Sequence, residues 1–452
     1  MKHPYQHIVL SDDGKYFFAA AINSVFVFKL ENAHAKLVGS WTDEVDPYYS
    51  IRKHHKELLE EYERQQKEKE ELGNEINENN KRETIPDEQV PTSKKQKINK
   101  KPKLPLPGPG APPTYTYIRD MCLSRDNKNL IVTTDNDKAV VVFKLDLSNS
   151  SNVLKLVKRQ PFPKRPSAVC TSYDDSSVII ADKFGDVYAI PLNEPTIIEN
   201  DKDLIPILGH VSMLTCVQSA IDENGKQVVL TADRDEHIRV SYYPKSFVVK
   251  KWLFGHREFV SCFLIPQWCD GKVLVSAGGD SFIKTWNWQA EGELKESIST
   301  VDISHLVEGK LNEKHLTPEK FQNEAGDQLE YCISHLVSLA KSKQIAVVFE
   351  RIPSVFVFDL TNSGELSFNK EYQVSNDIIT ATASQDKLIL SLDSMDKCLQ
   401  IFKIEEGKDL ETLSDAQDML KEINAANDTV IGDIDEIIPL FNTNYLRKRR
   451  EY

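Results

Sequence analysis

The sequence predicts an all-β protein built as a seven-bladed β-propeller, and three observations support this fold class. Gly209-His210 and Gly255-His256 open two segments with the same pattern, 46 residues apart. In each segment a short apolar strand follows the His, and a turn Asp stands 24 or 25 residues after it. Pairs of β-rich runs around a turn recur along the rest of the chain. Self-similarity at a period of about 20 to 50 residues is the signature of a repeat fold.

Weaker copies of this unit bring the count to seven blades. Paired β-rich runs occur at 16–28, 130–143, 178–188, 344–358 and 388–402. Seven blades close into a ring, which removes the open sheet edges that recruit other chains. We expect the first strand of the chain to complete the last blade.

The two clearest copies resemble the WD repeat, in which a His, a Ser or Thr, a turn Asp and a strand Trp form a buried hydrogen-bonded set. The later copy supplies all four, and they are His256, Ser276, Asp280 and Trp286. The earlier copy supplies His210, Thr231 and Asp235, but Ser241 stands where the Trp is expected. We therefore interpret both histidines as structural rather than as ligands or bases, and the fourth blade as incomplete.

Three segments do not fit the period. Residues 47–113 are rich in charged residues and then in Pro, so we predict a disordered insertion whose first part, Ile51 to Lys81, forms at most a transient helix. Residues 291–330 form a second insertion, with a helix start at Thr317-Pro318-Glu319. Residues 405–452 form an extension with a helix over 413–423. The blades then occupy 1–46 and 114–404.

Composition excludes several classes of protein. The chain has 452 residues and a net charge of -13, which disfavours a protein that holds nucleic acid over its whole surface.

Its seven cysteines lack any CxxC and are interpreted as reduced thiols of an intracellular protein. A zinc site at Cys262 and Cys269 is the alternative, but no second pair completes four ligands. Without a long apolar run or an apolar N-terminal region, we expect neither a membrane span nor secretion.

Catalysis has little support in the sequence. The chain contains no GxGxxG, no GxxxxGK[ST], no HExxH and no Cys or His cluster with metal-ligand spacing. We expect no catalytic residue, no metal and no cofactor on this chain.

Two basic clusters stand out against the acidic total. One comprises Lys94, Lys95, Lys97, Lys100, Lys101 and Lys103. It fits a nuclear localisation signal, a nucleic-acid contact or a merely solvated segment, and we expect a nuclear protein. The other comprises Arg447, Lys448, Arg449 and Arg450, preceded by Tyr445-Leu446 as an apolar handle for docking. A free solvated end is the alternative for this second cluster.

The incomplete blade carries Arg239 on a strand, where solvent or a partner must take its guanidinium. The planar guanidinium pairs in bidentate fashion with carboxylate or phosphate, which suits a partner contact. A plain surface Arg is the alternative interpretation.

Two sequence blocks and the basic end carry a more specific resemblance. One block comprises Ala232 to Ser241, then Tyr243-Pro244, and then Leu253 to Ser261. The other runs from Ala181 to Tyr188, and the end reads Leu446-Arg447-Lys448-Arg449. They resemble the WD-repeat family of non-catalytic subunits of the tRNA (guanine-N7)-methyltransferase. The resemblance implies a propeller that holds a Rossmann-like partner in its active form, as a heterodimer. The partner binds S-adenosylmethionine and forms N7-methylguanosine in the variable loop of tRNA.

The resemblance also implies roles for individual residues. Arg239 would face the catalytic subunit, with Arg234 and Lys183 as its neighbours. Transfer RNA would be bound mainly through the partner, with Arg447, Lys448, Arg449 and Arg450 as candidate contacts from this chain. A WD-repeat adaptor for another complex, in chromatin or in substrate recognition, remains the alternative function.

Overall fold

The computed structural model describes residues 2–46, 48–79, 103, 116–290, 297–413, 416–429, 431 and 438–449, with the side chains of 50 and 69–79 excepted. The chain divides into two compact units, one made of 1–44 with 116–452 and the other of 45–115. In the described part of the chain, none of the helices combines the length and the apolar character needed to cross a membrane.

Seven four-stranded antiparallel sheets make up the first unit in its described residues, in agreement with the repeat count. Each sheet is a meander of four consecutive strands, so each is one blade. The blades are numbered in chain order. Blade 1 comprises β1 (His7–Leu10), β2 (Tyr16–Ala21), β3 (Ser24–Glu31) and β4 (His34–Thr42); blade 2 comprises β5 (Ile118–Leu123), β6 (Asn129–Thr134), β7 (Ala139–Leu145) and β8 (Leu154–Pro161); blade 3 comprises β9 (Pro166–Thr171), β10 (Ser177–Asp182), β11 (Asp186–Pro191) and β12 (Leu208–Gly209); blade 4 comprises β13 (Leu214–Ile221), β14 (Gln227–Asp233), β15 (Ile238–Tyr242) and β16 (Val249–Leu253). Blade 5 comprises β17 (Val260–Leu264), β18 (Val273–Gly278), β19 (Phe282–Asn287) and β20 (Ser299–Asp302); blade 6 comprises β21 (Ile333–Leu339), β22 (Gln344–Phe349), β23 (Ser354–Leu360) and β24 (Leu366–Gln373); blade 7 comprises β25 (Ile378–Ala383), β26 (Lys387–Leu392), β27 (Leu399–Lys403) and β28 (Glu411–Thr412).

The middle strands of each blade hold the core. In β6 and β18 every residue is buried, because each blade packs against the blade before it and the blade after it. This two-sided burial explains why the second and third strands read as runs of Val, Ile, Leu and Phe. The outer strand β24 is largely exposed, and its sequence is correspondingly polar.

The ring closes through the innermost strands, and the expectation that the first strand completes the last blade is wrong. Each innermost strand contacts that of the next blade, and β25 contacts β1. However, β1 pairs with β2 inside blade 1, and blade 7 builds all four of its strands from its own sequence. Side chains link the two ends instead, since Ser391 Oγ donates to Tyr5 O at 2.6 Å and Leu10 N donates to Thr382 Oγ1 at 3.2 Å.

Helices lie outside the blades. The described helices are α1 (Tyr49–Asn79), α2 (Ser304–Val307) and α3 (Gln417–Ala426), with single 3-10 turns at Asp201–Asp203, Gln267–Cys269, Glu313–His315, Glu319–Phe321 and Asn444–Leu446. Helix α3 buries Met419 and Ile423 in the core shared by blades 1 and 7. It thereby covers the junction where the ring closes.

Several predicted boundaries need correction. The insertion assigned to 291–330 starts later, because β20 is the fourth strand of blade 5; Ser299–Asp302 carries one apolar residue and gives no strand signal. Likewise β28 belongs to blade 7, so the extension starts after 412 rather than at 405. The C-terminal helix spans Gln417–Ala426 instead of 413–423. The helix start at Thr317 is only a 3-10 turn, and Thr317 Oγ1 donates to Gln328 O at 3.1 Å rather than capping it.

The second unit contains α1, which covers most of the helix expected for Ile51 to Lys81. Its described surface carries exposed charges, among them Lys56 and Glu60 one turn apart at 3.8 Å. The disorder predicted for the rest of 47–113 lies outside the described residues, Lys103 apart.

Candidate partner interface

Blade 5 has the full hydrogen-bonded set of a WD repeat. His256 Nδ1 donates to Asp280 Oδ2 at 2.9 Å, and its Nε2 lies 2.7 Å from Ser276 Oγ. Trp286 Nε1 donates to the same Ser276 Oγ at 2.8 Å. All four residues are buried, so the set ties the loop before the blade to its second and third strands. Burial alone would raise the pKa of Asp280, yet the bonds from His256 and nearby backbone N–H groups hold that pKa below its ordinary value.

Blade 4 has a different set from the one the sequence predicted. His210 Nδ1 donates to Asp233 Oδ2 at 2.8 Å, and its Nε2 lies 2.8 Å from Thr231 Oγ1. The assignment of Asp235 is therefore wrong. Asp233 ends β14 and also accepts the backbone N–H groups of Asp235 and His237 at 2.8 and 3.0 Å, which fixes the turn. Asp235 accepts instead from Ser212 Oγ at 2.6 Å.

Arg239 occupies the space left by the missing Trp. It is only 7% exposed, and its Nε donates to Ser241 Oγ at 2.8 Å. Its Nη1 and Nη2 donate to the carbonyl oxygens of Gly209 and Ser246, both at 3.0 Å. The expectation that solvent or a partner must take the guanidinium is thus wrong, because the chain supplies three acceptors of its own.

The three acceptors of Arg239 are all neutral. Among the described residues no carboxylate forms an ion pair with it, and burial lowers the pKa of the guanidinium without an opposing charge. The guanidinium carbon also lies 5.6 Å from the centre of the Trp252 ring. Arg239 is therefore a buried cation whose charge is left uncompensated within the described chain.

A surface depression opens above Arg239, and we call it the Arg239 pocket. It has a volume of about 290 Å³, and its wall includes Val211, His237, Trp252 and Phe254. Val211 is fully exposed and Phe254 is 52% exposed. The rings of Trp252 and Phe254 stack with centroids 6.0 Å apart, and His237 meets both edge-on. The pocket is thus lined by the Arg239 guanidinium, by the apolar groups of Val211, Trp252 and Phe254, and by the carboxylates of Asp233 and Asp235.

Lys183 belongs to the turn between β10 and β11 of blade 3, and its charged neighbours are Asp135 and Arg165 rather than the groups that line the Arg239 pocket. The turn packs closely on the next loop, because His210 N donates to Gly185 O at 2.8 Å and a Cβ on Gly185 would come 2.4 Å from His210 O. Phe184 is exposed, with Lys164 Nζ 4.3 Å from its ring centre. Partial burial lowers the pKa of Lys183 and Arg165 lowers it further, while Asp135 opposes the shift. The turn therefore adds an exposed aromatic ring and positive charge to the same face of the propeller.

Arg234, Arg447 and Arg449 all form hydrogen bonds or ion pairs with other groups of the same chain. Arg234 Nε donates to Leu446 O at 2.6 Å. Arg447 donates to Gly279 O and Tyr331 O, and Arg449 pairs with Glu330. Both of these guanidinium groups are largely buried and paired within the chain, and their contact with tRNA stays a prediction.

The other basic candidates stand differently. Lys448 pairs with Asp235 but keeps a side-chain exposure of 55%. Arg450 and the lysine run from Lys94 to Lys101 lie outside the described residues, while Lys103 is exposed.

The cysteines considered for zinc are separated by structure. Cys262 lies on β17 and Cys269 in a 3-10 turn, where its Sγ donates to Thr361 O at 3.6 Å. Burial raises the pKa of Cys262 to about 12 and that of Cys269 to about 11. Within the residues that the structure describes, no group of three or more His, Cys, Asp or Glu side chains is placed to hold a metal ion.

The sequence reasoning missed the apolar wall of the pocket. Phe254 stands within the family-like stretch from Leu253 to Ser261 and Trp252 directly before it, but each single aromatic residue is ordinary in a strand. The available signal was the pair of large rings two positions apart at the end of an outer strand, a place where blades are usually polar. Val211 gave no signal, since one exposed apolar residue is common on protein surfaces.

Comparisons with known proteins agree with this architecture. The sequence profile of the family "tRNA methyltransferase TRM82 WD40 domain" matches residues 17–206 and 199–396. Proteins named tRNA (guanine-N(7)-)-methyltransferase non-catalytic subunit TRM82 are similar over their whole length. The one from Kluyveromyces lactis is 40% identical over 462 residues, and the one from Debaryomyces hansenii is 40% identical over 460 residues, with 100% of each chain covered in both cases.

A solved structure, "Structure of U3-55K", superimposes with a TM-score of 0.52 at 14% identity. The match covers 87% of this chain and 89% of that chain, and it shows the fold alone. The profile match and the full-length relatives go further than fold. The chain belongs to the TRM82 WD40 family of tRNA methyltransferase proteins.

Proposed function

We propose that this chain is the non-catalytic scaffold subunit of a tRNA (guanine-N7)-methyltransferase, forming a heterodimer with the catalytic subunit and stabilising its active form. The family membership supports this role, as do relatives that are named non-catalytic subunits. The single observation that carries the site is Arg239, a buried guanidinium whose acceptors are all neutral.

A carboxylate of the partner is the natural complement of Arg239, because the two carboxylates that also line the pocket have other partners: Asp233 accepts from His210, and Asp235 accepts from Ser212 and pairs with Lys448. An unpaired buried charge is costly, and a carboxylate arriving from another protein offsets that cost. The apolar wall of Val211, Trp252 and Phe254 excludes water from the contact and so strengthens the ion pair. Lys183 and Phe184 extend the same contact onto blade 3.

Transfer RNA reaches the complex mainly through the catalytic subunit in this proposal. The chain has a net charge of -13, and Arg447 and Arg449 are held by their own propeller. S-adenosylmethionine binds only to the partner, whose product is N7-methylguanosine in the variable loop. Nuclear localisation through the lysine run Lys94 to Lys103 belongs to the same proposal.

The test is co-purification with the catalytic subunit from the native cell, with Arg239→Glu and Arg239→Met in the full chain. Truncating one partner of a desolvated ion pair costs about 2 to 5 kcal/mol, so we expect Arg239→Met to lose most of the methyltransferase and Arg239→Glu to lose all of it. Methylation of tRNA by the co-purified material should fall in parallel.

Lys226→Glu is the matched control, because Lys226 is an exposed cation of the same blade outside the Arg239 pocket. It should co-purify like the wild type. Unchanged stoichiometry and methylation in both Arg239 variants would refute the assignment of this residue. A native complex without any methyltransferase would favour the adaptor alternative.

A further inference from the structure

The tail segment (residues 438–449) lies across blades 4, 5 and 6. It runs over the face that carries the turns between second and third strands and the loops between blades. Ile438 and Phe441 are buried. With Leu440 and Leu446 they bound a cavity of about 250 Å³ whose other wall is formed by residues of the innermost strands, such as Thr215 and Ser261. The tail segment therefore closes this end of the central channel.

The propeller binds the main chain of the tail segment as it would bind a peptide. Glu350, buried at the end of β22, accepts Thr443 N at 2.5 Å and Asn444 N at 3.3 Å. On the other side, Arg234 donates to Leu446 O at 2.6 Å. These contacts fix the direction and the register of the segment, whatever its side chains.

Arg447 enters a first socket, where its side chain is only 13% exposed. Its Nη2 donates to Gly279 O at 2.7 Å and to Tyr331 O at 2.8 Å. Glu258 lies 3.4 Å from Nη1, and the guanidinium carbon lies 5.7 Å from the ring centre of Phe259. Backbone carbonyls, a carboxylate and an aromatic face together suit a guanidinium, and a lysine ammonium could not satisfy the same planar fork.

Arg449 enters a second socket and is 11% exposed. Its Nε lies 3.2 and 3.1 Å from the two carboxylate oxygens of Glu330, and its Nη2 lies 2.5 Å from Oε2. Asn444 links the sockets, since its Nδ2 donates to Glu330 at 3.2 Å and its Oδ1 accepts from Arg447 at 3.2 Å. Tyr445, by contrast, is 68% exposed and makes no part of either socket.

In the described chain, the carboxylates of Glu330 and Glu350 form hydrogen bonds and ion pairs only with the tail segment. The hydrogen bonds and ion pairs of the Glu330 carboxylate all go to Asn444, Arg447 and Arg449. Those of the Glu350 carboxylate go to Thr443 and Asn444. Without the tail segment, two buried carboxylates of one face would lose their partners, a costly state. The face is thus built to be occupied.

We propose that this face is a peptide-binding site for an Asn-x-x-Arg-x-Arg segment and that the tail segment occupies it as an intramolecular ligand. An Arg-x-Arg segment of another protein reaches the site and the channel behind it only by displacing the tail segment. This inference does not depend on the proposed methyltransferase partner.

The test uses a fluorescein-labelled synthetic peptide with the sequence of Asn442 to Arg449, titrated into full-length chains. A tethered ligand acts at an effective concentration on the order of millimolar, so the wild-type chain should bind the peptide weakly. The variant Arg447→Ala/Arg449→Ala frees the sockets and should bind it at least ten-fold more tightly. Adding Glu330→Gln to that variant should remove the gain, and a peptide with both arginines changed to Ala should not bind.

Equal peptide affinity of the wild type and the double variant would overturn the proposal, provided circular dichroism shows the variant folded. If the double variant does not fold, tryptic cleavage after Arg447 decides the question in chains that keep both arginines. Cleavage should be at least ten-fold faster in Glu330→Gln than in the wild type, and equal rates would contradict a docked tail segment.

Discussion

Blades 4 and 5 are neighbours with the same strand order and the same histidine, but they fill the space beside that histidine differently. In blade 5, Trp286 closes the hydrogen-bonded set and is buried. In blade 4, Ser241 leaves room for Arg239, and Trp252 from the outer strand supplies the ring next to His210, with centroids 5.7 Å apart. One blade ends in a closed apolar contact, and the other ends in a buried cation below an open pocket.

The buried Trp of blade 5 contributes to the stability of the fold, whereas the buried Arg of blade 4 suits a contact with a partner. A buried Trp stabilises the fold through apolar contacts and one satisfied N–H, and it needs no group from a partner. A buried guanidinium with neutral acceptors is stable enough to fold, yet it gains when a carboxylate arrives. The departure from the repeat in blade 4 therefore coincides with the site proposed for the partner, whereas the complete hydrogen-bonded set of blade 5 serves the fold.

Removing the ring of blade 5 tests the scaffold half of this comparison. Trp286→Ala deletes a fully buried side chain and removes the hydrogen bond that its Nε1 donates to Ser276 Oγ. The unfolding free energy should therefore fall by about 3 to 5 kcal/mol. Ser241→Ala in blade 4 removes one hydrogen bond donated by the buried Arg239 guanidinium and should cost about 1.5 to 3 kcal/mol. Urea denaturation of both variants checks the ranking, and a larger loss for Ser241→Ala would reverse the roles of the two blades.

Restoring the Trp of blade 4 tests whether Arg239 really takes its place. Ser241→Trp must compete with the guanidinium for one space, and overpacking of this kind costs about 1 to 3 kcal/mol. The variant should also lose the methyltransferase, because Arg239 is displaced. A stable variant that keeps the partner would mean that the two side chains do not share the space. Thermal unfolding and co-purification give the two readouts.

Acid should weaken the complete set of blade 5 in a defined direction. The folded-state pKa of Asp280 is held below its ordinary value despite burial, chiefly through the bond from His256. Its contribution is therefore fully present above the unfolded pKa of about 3.9 and is lost as pH falls through the folded pKa. The difference in thermal midpoint between the wild type and Asp280→Asn should shrink below pH 4. A constant difference from pH 7 to pH 3 would rule this linkage out.

The smallest effect on the fold is expected at the mouth of the Arg239 pocket. Phe254→Ala removes an exposed ring, so the unfolding free energy should change by no more than about 0.5 kcal/mol. Partner affinity should nevertheless fall by about 1 kcal/mol or more, since the ring shields the ion pair. Phe247→Ala is the matched control, because Phe247 is 75% exposed on the same blade but outside the pocket. Isothermal titration with the catalytic subunit should separate the two variants.

The sequence could predict the number of blades and the hydrogen-bonded set of blade 5, because both rest on local pattern. The recurrence of strands and turns has a fixed period, and His256, Ser276, Asp280 and Trp286 stand at the spacing of the repeat. The ring closure was missed because strand exchange depends on how the two ends of the chain meet. The sequence pattern pointed to Asp235 instead of Asp233 as the partner of His210, because the two carboxylates stand two positions apart. Only the geometry of the turn shows which of them reaches the imidazole.

Sequence pattern alone predicts the seven blades and the missing Trp of blade 4. The folded ring is needed to bury Arg239 on neutral acceptors, to bring Trp252 and Phe254 beside it, and to fold Arg447 and Arg449 back onto Glu330. The physical reason is that strand pattern arises from neighbours along the chain. Burial and charge compensation arise from groups as far apart in sequence as Arg234 and Leu446, which meet only when the ring has closed.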